Sequence, residues 1–141
     1  MQNYRELKLV VDETGTSYLY ILGAQSKPGK YFAVQLVKEG STDLIVFDFS
    51  PEGRVVGIEL DYYRDLLPTK LLGTGEREMN TLILTVKGYL DNGELYTILD
   101  SDTDNVEHLQ KHAIQSIKYL DNVVRVYFDE GRIIAFAEQI E

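Results

Sequence analysis

Short runs of β-branched and aromatic residues recur along this chain at intervals of roughly 8–12 residues, and turn-forming residues separate them. The separators are rich in Gly, Pro, Ser and Asp, because glycine supplies positive φ and proline presets the entry angle of a turn. This spacing is typical of an antiparallel meander and argues against a helical fold. The predicted strands cover residues 7–11, 18–22, 31–37, 43–49, 54–60, 81–86, 95–99, 114–120, 123–128 and 132–137.

Two stretches break this rhythm and predict short helices. In residues 60–67, apolar residues recur at three- and four-residue steps, Asp61 can cap the first turn, and Pro68 ends it. In residues 104–112, Asp104 is predicted as the N-cap and Glu107 as the residue that reaches back to it. The sequence therefore predicts a mainly β (α+β) protein with two antiparallel β-meander units and one or two short helices.

The most linker-like part of the chain is residues 73–78, which contain two glycines and no apolar residue. We place a boundary there, near residue 74, because domain boundaries fall in polar, glycine-rich segments. It divides the chain into residues 1–73 and residues 74–141, two units that can also pack as one domain. A chain of 141 residues is long enough to bury its own core without a disulfide or a metal.

Two internal similarities connect the halves of the chain. Residues 52–56 (EGRVV) resemble residues 130–134 (EGRII), and residues 89–92 and 119–122 both read YLDN. Two explanations stay open: convergent hairpin chemistry, or two related β-units. Asn92-Gly93 between apolar runs also predicts a type I′ hairpin turn, which needs positive φ at both central residues.

A family resemblance covers roughly residues 12–67. Leu19-Tyr20-Ile21 on an early strand, followed by a hairpin that carries Asp48, Gly53 and the run Gly57-Ile58-Glu59, resembles the small bacterial domain of unknown function 2283 family. The resemblance implies a small β-meander with a helix and no established activity or catalytic residues. Some members of that family look like partners in toxin–antitoxin style gene pairs. Residues 74–141 have no counterpart that we recognise.

The charge balance and the composition exclude several classes of function. Fourteen basic and 23 acidic residues give a formal charge of −9, which disfavours binding to nucleic acid or to an anionic membrane by bulk electrostatics. The absence of cysteine excludes disulfides, thiolate zinc sites and a cysteine nucleophile. The polar N-terminal sequence and the short apolar runs favour a cytoplasmic protein. The family resemblance implies a protein of bacterial or phage type.

Two neighbouring stretches resemble metal-ligand patterns. His108 and His112 are four residues apart on the second predicted helix, close to Asp104, and histidines at that spacing can share a zinc ion. The simpler interpretation is a pair of surface histidines, since the glutamate of the H-E-x-x-H motif is missing. Residues 100–105 begin like a calcium loop, but Asn105 replaces the turn glycine and Lys111 replaces the bidentate glutamate. We predict no catalytic residue and no cofactor, and a weak metal-dependent hydrolase is only the third hypothesis.

Negative charge and ten tyrosines favour a surface that binds another protein. Our leading hypothesis is a non-enzymatic, acidic interaction module that resembles an antitoxin, an immunity factor or an inhibitor and binds a basic protein. A small-ligand protein with a cleft between the two β-units, near residues 68–80, is the alternative. A homodimer is also open, because residues 44–47 are apolar on both faces of their strand. The candidate partner- or ligand-binding residues are Tyr62, Tyr63, Lys70 and Arg77.

Overall fold

The computed structural model describes residues 2–13, 15–21, 31–103 and 105–139, with the backbone alone for residues 2–5. Antiparallel strands dominate these ranges, so the prediction of a mainly β fold is confirmed. The helices among them are single turns, and none is long and apolar enough to cross a membrane. The elements are β1 (Gln2–Asp12), β2 (Ser17–Tyr20), β3 (Phe32–Val37), β4 (Leu44–Phe49), β5 (Val55–Leu60), α1 (Tyr63–Leu66), α2 (Thr69–Leu72), β6 (Glu76–Glu78), β7 (Thr81–Asp91), β8 (Glu94–Ile98), α3 (Val106–Leu109), β9 (Ala113–Tyr119), β10 (Asn122–Asp129) and β11 (Arg132–Gln139).

All the described strands belong to one sheet. Its order is β3-β4-β5-β2-β1-β7-β8-β11-β10-β9, and β6 pairs with β7 off this path. The predicted linker therefore contains a strand, because residues 76–78 form a ladder with residues 81–83. The long strands β1 and β7 lie at the centre and pair with each other across the boundary that the sequence suggested near residue 74.

The sheet curls until its two edge strands, β3 and β9, approach each other. No ladder joins them in the described residues, and side chains fill the gap instead. The Gln115 amide donates to the Val37 carbonyl oxygen at 3.1 Å and accepts from the Glu39 main-chain N–H at 2.8 Å. The rings of Phe32 and Tyr119 stack at 5.7 Å. The sheet is therefore nearly closed, and its interior is a single core.

The two halves of the sheet have the same strand order. Counted outward from the centre, the first half runs β1-β2-β5-β4-β3 and the second runs β7-β8-β11-β10-β9. Both final hairpins also carry a register irregularity at the same place, between Asp48 and Phe49 in β4 and between Tyr127 and Phe128 in β10. This common order favours two related β-units over convergent hairpin chemistry.

Residue-level pairing supports the same relation. In the first half, Gly57 pairs with Tyr20, and Tyr20 pairs with Lys8 on β1. In the second half, Ala135 pairs with Ile98, and Ile98 pairs with Lys87 on β7. Lys8 and Lys87 therefore occupy equivalent positions. These equivalences make Val86 the counterpart of Leu7, and Leu7 and Val86 face each other in the β1–β7 ladder. If a twofold axis relates the halves, the residue at the axis must pair with its own counterpart, as Leu7 does with Val86.

The core is shared by both halves. Its fully buried residues include Leu9 and Phe47 from the first half and Val126 and Ile133 from the second. The ring of Phe47 meets that of Phe136 edge to face at 6.0 Å. Burial of apolar surface is the dominant stabilising contribution, so the halves stabilise each other through this core.

Hydrogen bonds made by Arg132 and Glu138 also join the halves. Arg132 of β11 donates to the carbonyl oxygens of Arg64 and Leu67 at 2.6 and 2.7 Å, which satisfies the free carbonyls at the end of α1. Glu138, only 4% exposed, accepts from the Val55 N–H at 2.6 Å and from the Asn122 side chain at 2.8 Å. Burial raises the pKa of the Glu138 carboxyl, against the lowering effect of these donors and of Arg54.

The first predicted helix is corrected in its N-cap. Tyr62, with φ 59°, is the N-cap of α1, and no side chain caps that turn, so Asp61 is not the cap. As predicted, the helix ends before Pro68: α1 ends at Leu66, and Leu67 is extended. Pro68 is also the N-cap of a second turn, α2, which the sequence did not predict. Proline is compatible with the start of a helix, where its missing N–H has no intrahelical partner.

The second predicted helix is shorter than expected. It is capped by the Asn105 side chain, which accepts from the His108 N–H at 3.0 Å, while Asp104 lies outside the described residues. The helix ends at Leu109, so His112 is not on the same helical face as His108. By contrast, the type I′ turn is confirmed, since Asn92 and Gly93 have φ of 50° and 77°.

The close approach of Tyr18 to Gly57 generates a stability prediction. A Cβ at residue 57 would lie 2.2 Å from the Tyr18 hydroxyl oxygen, which donates to Asp48 at 2.7 Å. Gly57→Ala must displace this ring and should lower the free energy of unfolding by about 1–3 kcal/mol. In a Tyr18→Ala background the same change should be neutral or stabilising, because the alanine then meets no ring. An equal cost in both backgrounds, measured by urea denaturation, would contradict this packing.

The buried Glu138 carboxyl predicts a pH dependence. Its folded-state pKa is raised, so the folded protein binds this proton more tightly than the unfolded chain does. Its contribution to stability is therefore lost as the pH rises from about 4.5 through the folded-state pKa. Glu138→Gln should gain stability relative to wild type over that rise, whereas the exposed control Glu52→Gln should not. Parallel curves for wild type and Glu138→Gln in denaturation experiments across this range would refute the prediction.

Candidate functional site

A surface concavity lies where the β1–β2 turn meets α1. This Tyr62 depression has a volume of about 490 Å³. It brings together two residues that the sequence singled out, Tyr62 and Tyr63, with several that it did not. The lining residues are Glu13, Gly15, Thr16, Asp61, Tyr62, Tyr63, Arg64 and Asp65.

Tyr62 is displayed at this depression by an unusual backbone conformation. Its φ of 59° is in the left-handed region, which costs a bulky residue about 1 kcal/mol or more. Tyr62 is 60% exposed, while the neighbouring Tyr63 is buried and packs into the core. The chain therefore holds a large aromatic ring in solvent at a position that glycine or asparagine would occupy with less strain.

The carboxylates of the depression differ in whether an ion pair neutralises them. Glu13 forms an ion pair with Arg77, which holds the pKa of the Glu13 carboxyl below its usual value. Asp61 and Asp65 form no ion pair within the described part of the chain. The Arg64 guanidinium lies over the Tyr63 ring at 5.1 Å, an attractive cation–π geometry.

The lowered pKa makes the Glu13 carboxyl a poor group for proton transfer near neutral pH. A general acid or base works best when its pKa lies near the operating pH, and the pKa of Glu13 is moved away from that range. The depression presents fixed negative charge beside an exposed aromatic ring. That combination attracts cationic side chains, which bind carboxylates and aromatic faces.

Lys70, the fourth residue singled out from the sequence, lies at a different place. It forms an exposed ion pair with Asp102 at 2.8 Å, between α2 and the loop that follows β8. Beside this pair is a second concavity of about 400 Å³, the α2 cleft, near the residues where the sequence predicted a ligand cleft. Its lining residues are Leu71, Thr74, Thr85, Val86, Lys87, Tyr89, Ile98, Leu99, Asp100, Ser101 and Thr103.

The predicted metal cluster does not assemble within the described residues. No group of three or more potential ligands capable of holding a metal ion occurs among them. His112 Nδ1 lies 3.8 Å from Asp129, and His108 is exposed on α3. In the acidic loop that follows β8, the Asp100 carboxylate accepts a hydrogen bond from the Asp102 N–H at 3.1 Å, within the loop itself.

Comparison with known proteins gives no match to any family model, curated protein or solved structure. The resemblance of residues 12–67 to the domain of unknown function 2283 family therefore stays a prediction that depends on its motif. The site must be interpreted from its own geometry.

Part of the Tyr62 depression could be predicted from the sequence. Asp61, Arg64 and Asp65 flank the tyrosines directly, so their proximity to Tyr62 is local. The pairing of Arg77 with Glu13 joins residues 64 positions apart, and no local pattern predicts it.

The Glu13–Arg77 pair yields a direct test of the site geometry. Arg77→Gln should raise the pKa of Glu13, because the hydrogen bond and the charge of Arg77 are what lower it. Carboxyl-selective NMR titration measures this change at a single residue. Lys70→Gln is the matched control, since Lys70 pairs with Asp102, and it should leave Glu13 unchanged. If Glu13 titrates identically in wild type and Arg77→Gln, the pair does not form in solution.

Proposed function

We propose that this protein is a non-enzymatic, acidic interaction protein that binds a basic partner protein through the Tyr62 depression. The observation that carries the proposal is the exposed ring of Tyr62, held in a left-handed conformation beside Asp61 and Asp65. Aromatic residues of this kind supply large contact area at interfaces at a low cost in side-chain entropy.

Charge supports the choice of a basic partner. The chain carries a formal charge of −9, so its long-range field attracts cationic proteins and speeds their association. Within the depression, Asp61 and Asp65 are available to lysine or arginine side chains of such a partner. An antitoxin, an immunity factor or an inhibitor works in this way, by covering a cationic functional surface.

The experiment compares partner capture by matched variants of the full chain. Wild-type protein, Tyr62→Ala, the double variant Asp61→Asn/Asp65→Asn and the control Met79→Ala are immobilised and exposed to extract of the source cell. Met79 is a matched control because it is 92% exposed, also has a left-handed backbone (φ 54°) and lies outside the lining of the depression.

Wild type and Met79→Ala should retain the same basic protein, and retention should fall as salt is added, since exposed charges are screened. Tyr62→Ala and the double variant should bind it at least about tenfold more weakly, as expected for an interface hot spot. Equal retention by all four proteins, or a captured partner that is acidic, would contradict the proposal. Failure of wild type to retain any basic protein would do the same.

A further inference from the structure

The α2 cleft has the properties of a small-molecule site, independent of the Tyr62 depression. Its floor is lined by the buried apolar residues Leu71, Val86, Ile98 and Leu99. Its volume of about 400 Å³ lies within the range of ligand pockets, which combine an apolar surface with a few polar groups. Those polar groups are mostly hydroxyls, and their hydrogen bonds indicate which ligand they fit.

The Thr74 hydroxyl is oriented as an acceptor toward a ligand. It donates its proton to the Leu71 carbonyl oxygen at 2.7 Å, and the Thr103 hydroxyl makes a longer contact of the same kind, 3.4 Å, with the Asp100 carboxylate. A hydroxyl has a single proton, so what remains on the Thr74 oxygen is lone pairs. A ligand at this position must donate a hydrogen bond, which a carboxylate or a fully ionised phosphate cannot do.

Two other hydroxyls are free to donate or accept. Thr85 and Ser101 line the cleft, and in the described part of the chain neither side chain makes a hydrogen bond. The charged lining residues are one cation, Lys87, and one anion, Asp100, so the formal charge of the lining cancels. A neutral ligand fits this balance, and the overall charge of −9 disfavours an anion further.

The loop that carries Ser101 and Thr103 is anchored at its start. The main-chain N–H groups of Leu99 and Asp100 donate to the Ile134 carbonyl oxygen at 2.9 and 3.2 Å. Further along, Asp102 forms an exposed 2.8 Å ion pair with Lys70 on α2, which adds little to the stability of the loop. The main-chain anchor lowers the ordering cost of binding.

From this arrangement we propose that the α2 cleft binds a neutral, polyhydroxylated small molecule of monosaccharide size. Hydroxyl groups of such a ligand donate to Thr74 and exchange hydrogen bonds with Thr85 and Ser101. Its apolar C–H face packs on the aliphatic floor. The inference does not depend on the proposed partner protein, since the two concavities share no lining residue.

The test is an NMR titration of the full-length protein with two uncharged probes, methyl β-glucoside and methyl β-galactoside. At least one probe should produce saturable shifts confined to the amides of the cleft, with a dissociation constant of about 1 mM. Thr85→Val keeps the shape of the side chain and Ser101→Ala is a minimal truncation; the pair together should weaken binding about tenfold. Ser116→Ala, which removes an exposed hydroxyl from β9, is the control and should bind as wild type does.

Sodium acetate is the anionic comparison. Tighter binding of acetate than of both glycosides in the cleft would overturn the proposal, because it would show an anion site. Absence of saturable cleft shifts with either glycoside, or equal binding by wild type and the Thr85→Val/Ser101→Ala variant, would also overturn it. The spectrum of each variant outside the cleft shows whether the fold is intact.

Discussion

The antiparallel pairing of β1 with β7 is the constraint on which the rest of this structure depends. It runs from Gln2 opposite Leu90 to Asp12 opposite Thr81, and it connects two five-strand arrangements of the same order. Without that ladder each arrangement would expose a long central strand as an edge, together with one side of its apolar face. With it, the sheet curls around one core to which both halves contribute.

The equivalence of the halves makes their differences informative. Leu60 of β5 corresponds to Glu138 of β11, so one half has a buried leucine where the other has a buried carboxyl that bonds to the β4–β5 turn. Both concavities lie next to the helical segment that connects the halves. One is beside α1 and the other beside α2. As in many proteins, the regular strands provide the scaffold and the connecting segments carry the candidate sites.

Local chemistry determined what could be predicted from the sequence. The apolar runs located most strands, and Asn92-Gly93 identified its turn, because each of these signals depends on neighbouring residues. The extension of β1 back to Gln2 depends on pairing with β7, which is distant in the sequence. The strand at residues 76–78 also pairs with β7, from which a turn separates it. Likewise, the sequence named Tyr62 and Tyr63 together as candidate binding residues, but it did not show which of them is exposed. The left-handed backbone of Tyr62 and the Glu13–Arg77 pair arise from tertiary packing.

The most direct test of the account is native-state hydrogen exchange across the β1–β7 ladder. If this ladder joins two related units around one core, its central amides, near Leu7 and Val86, should exchange only through global unfolding. The protection free energy of these amides should then equal the free energy of unfolding from denaturant experiments. Exchange of these amides through an opening of much lower free energy, with the two halves unfolding in separate transitions, would contradict the account.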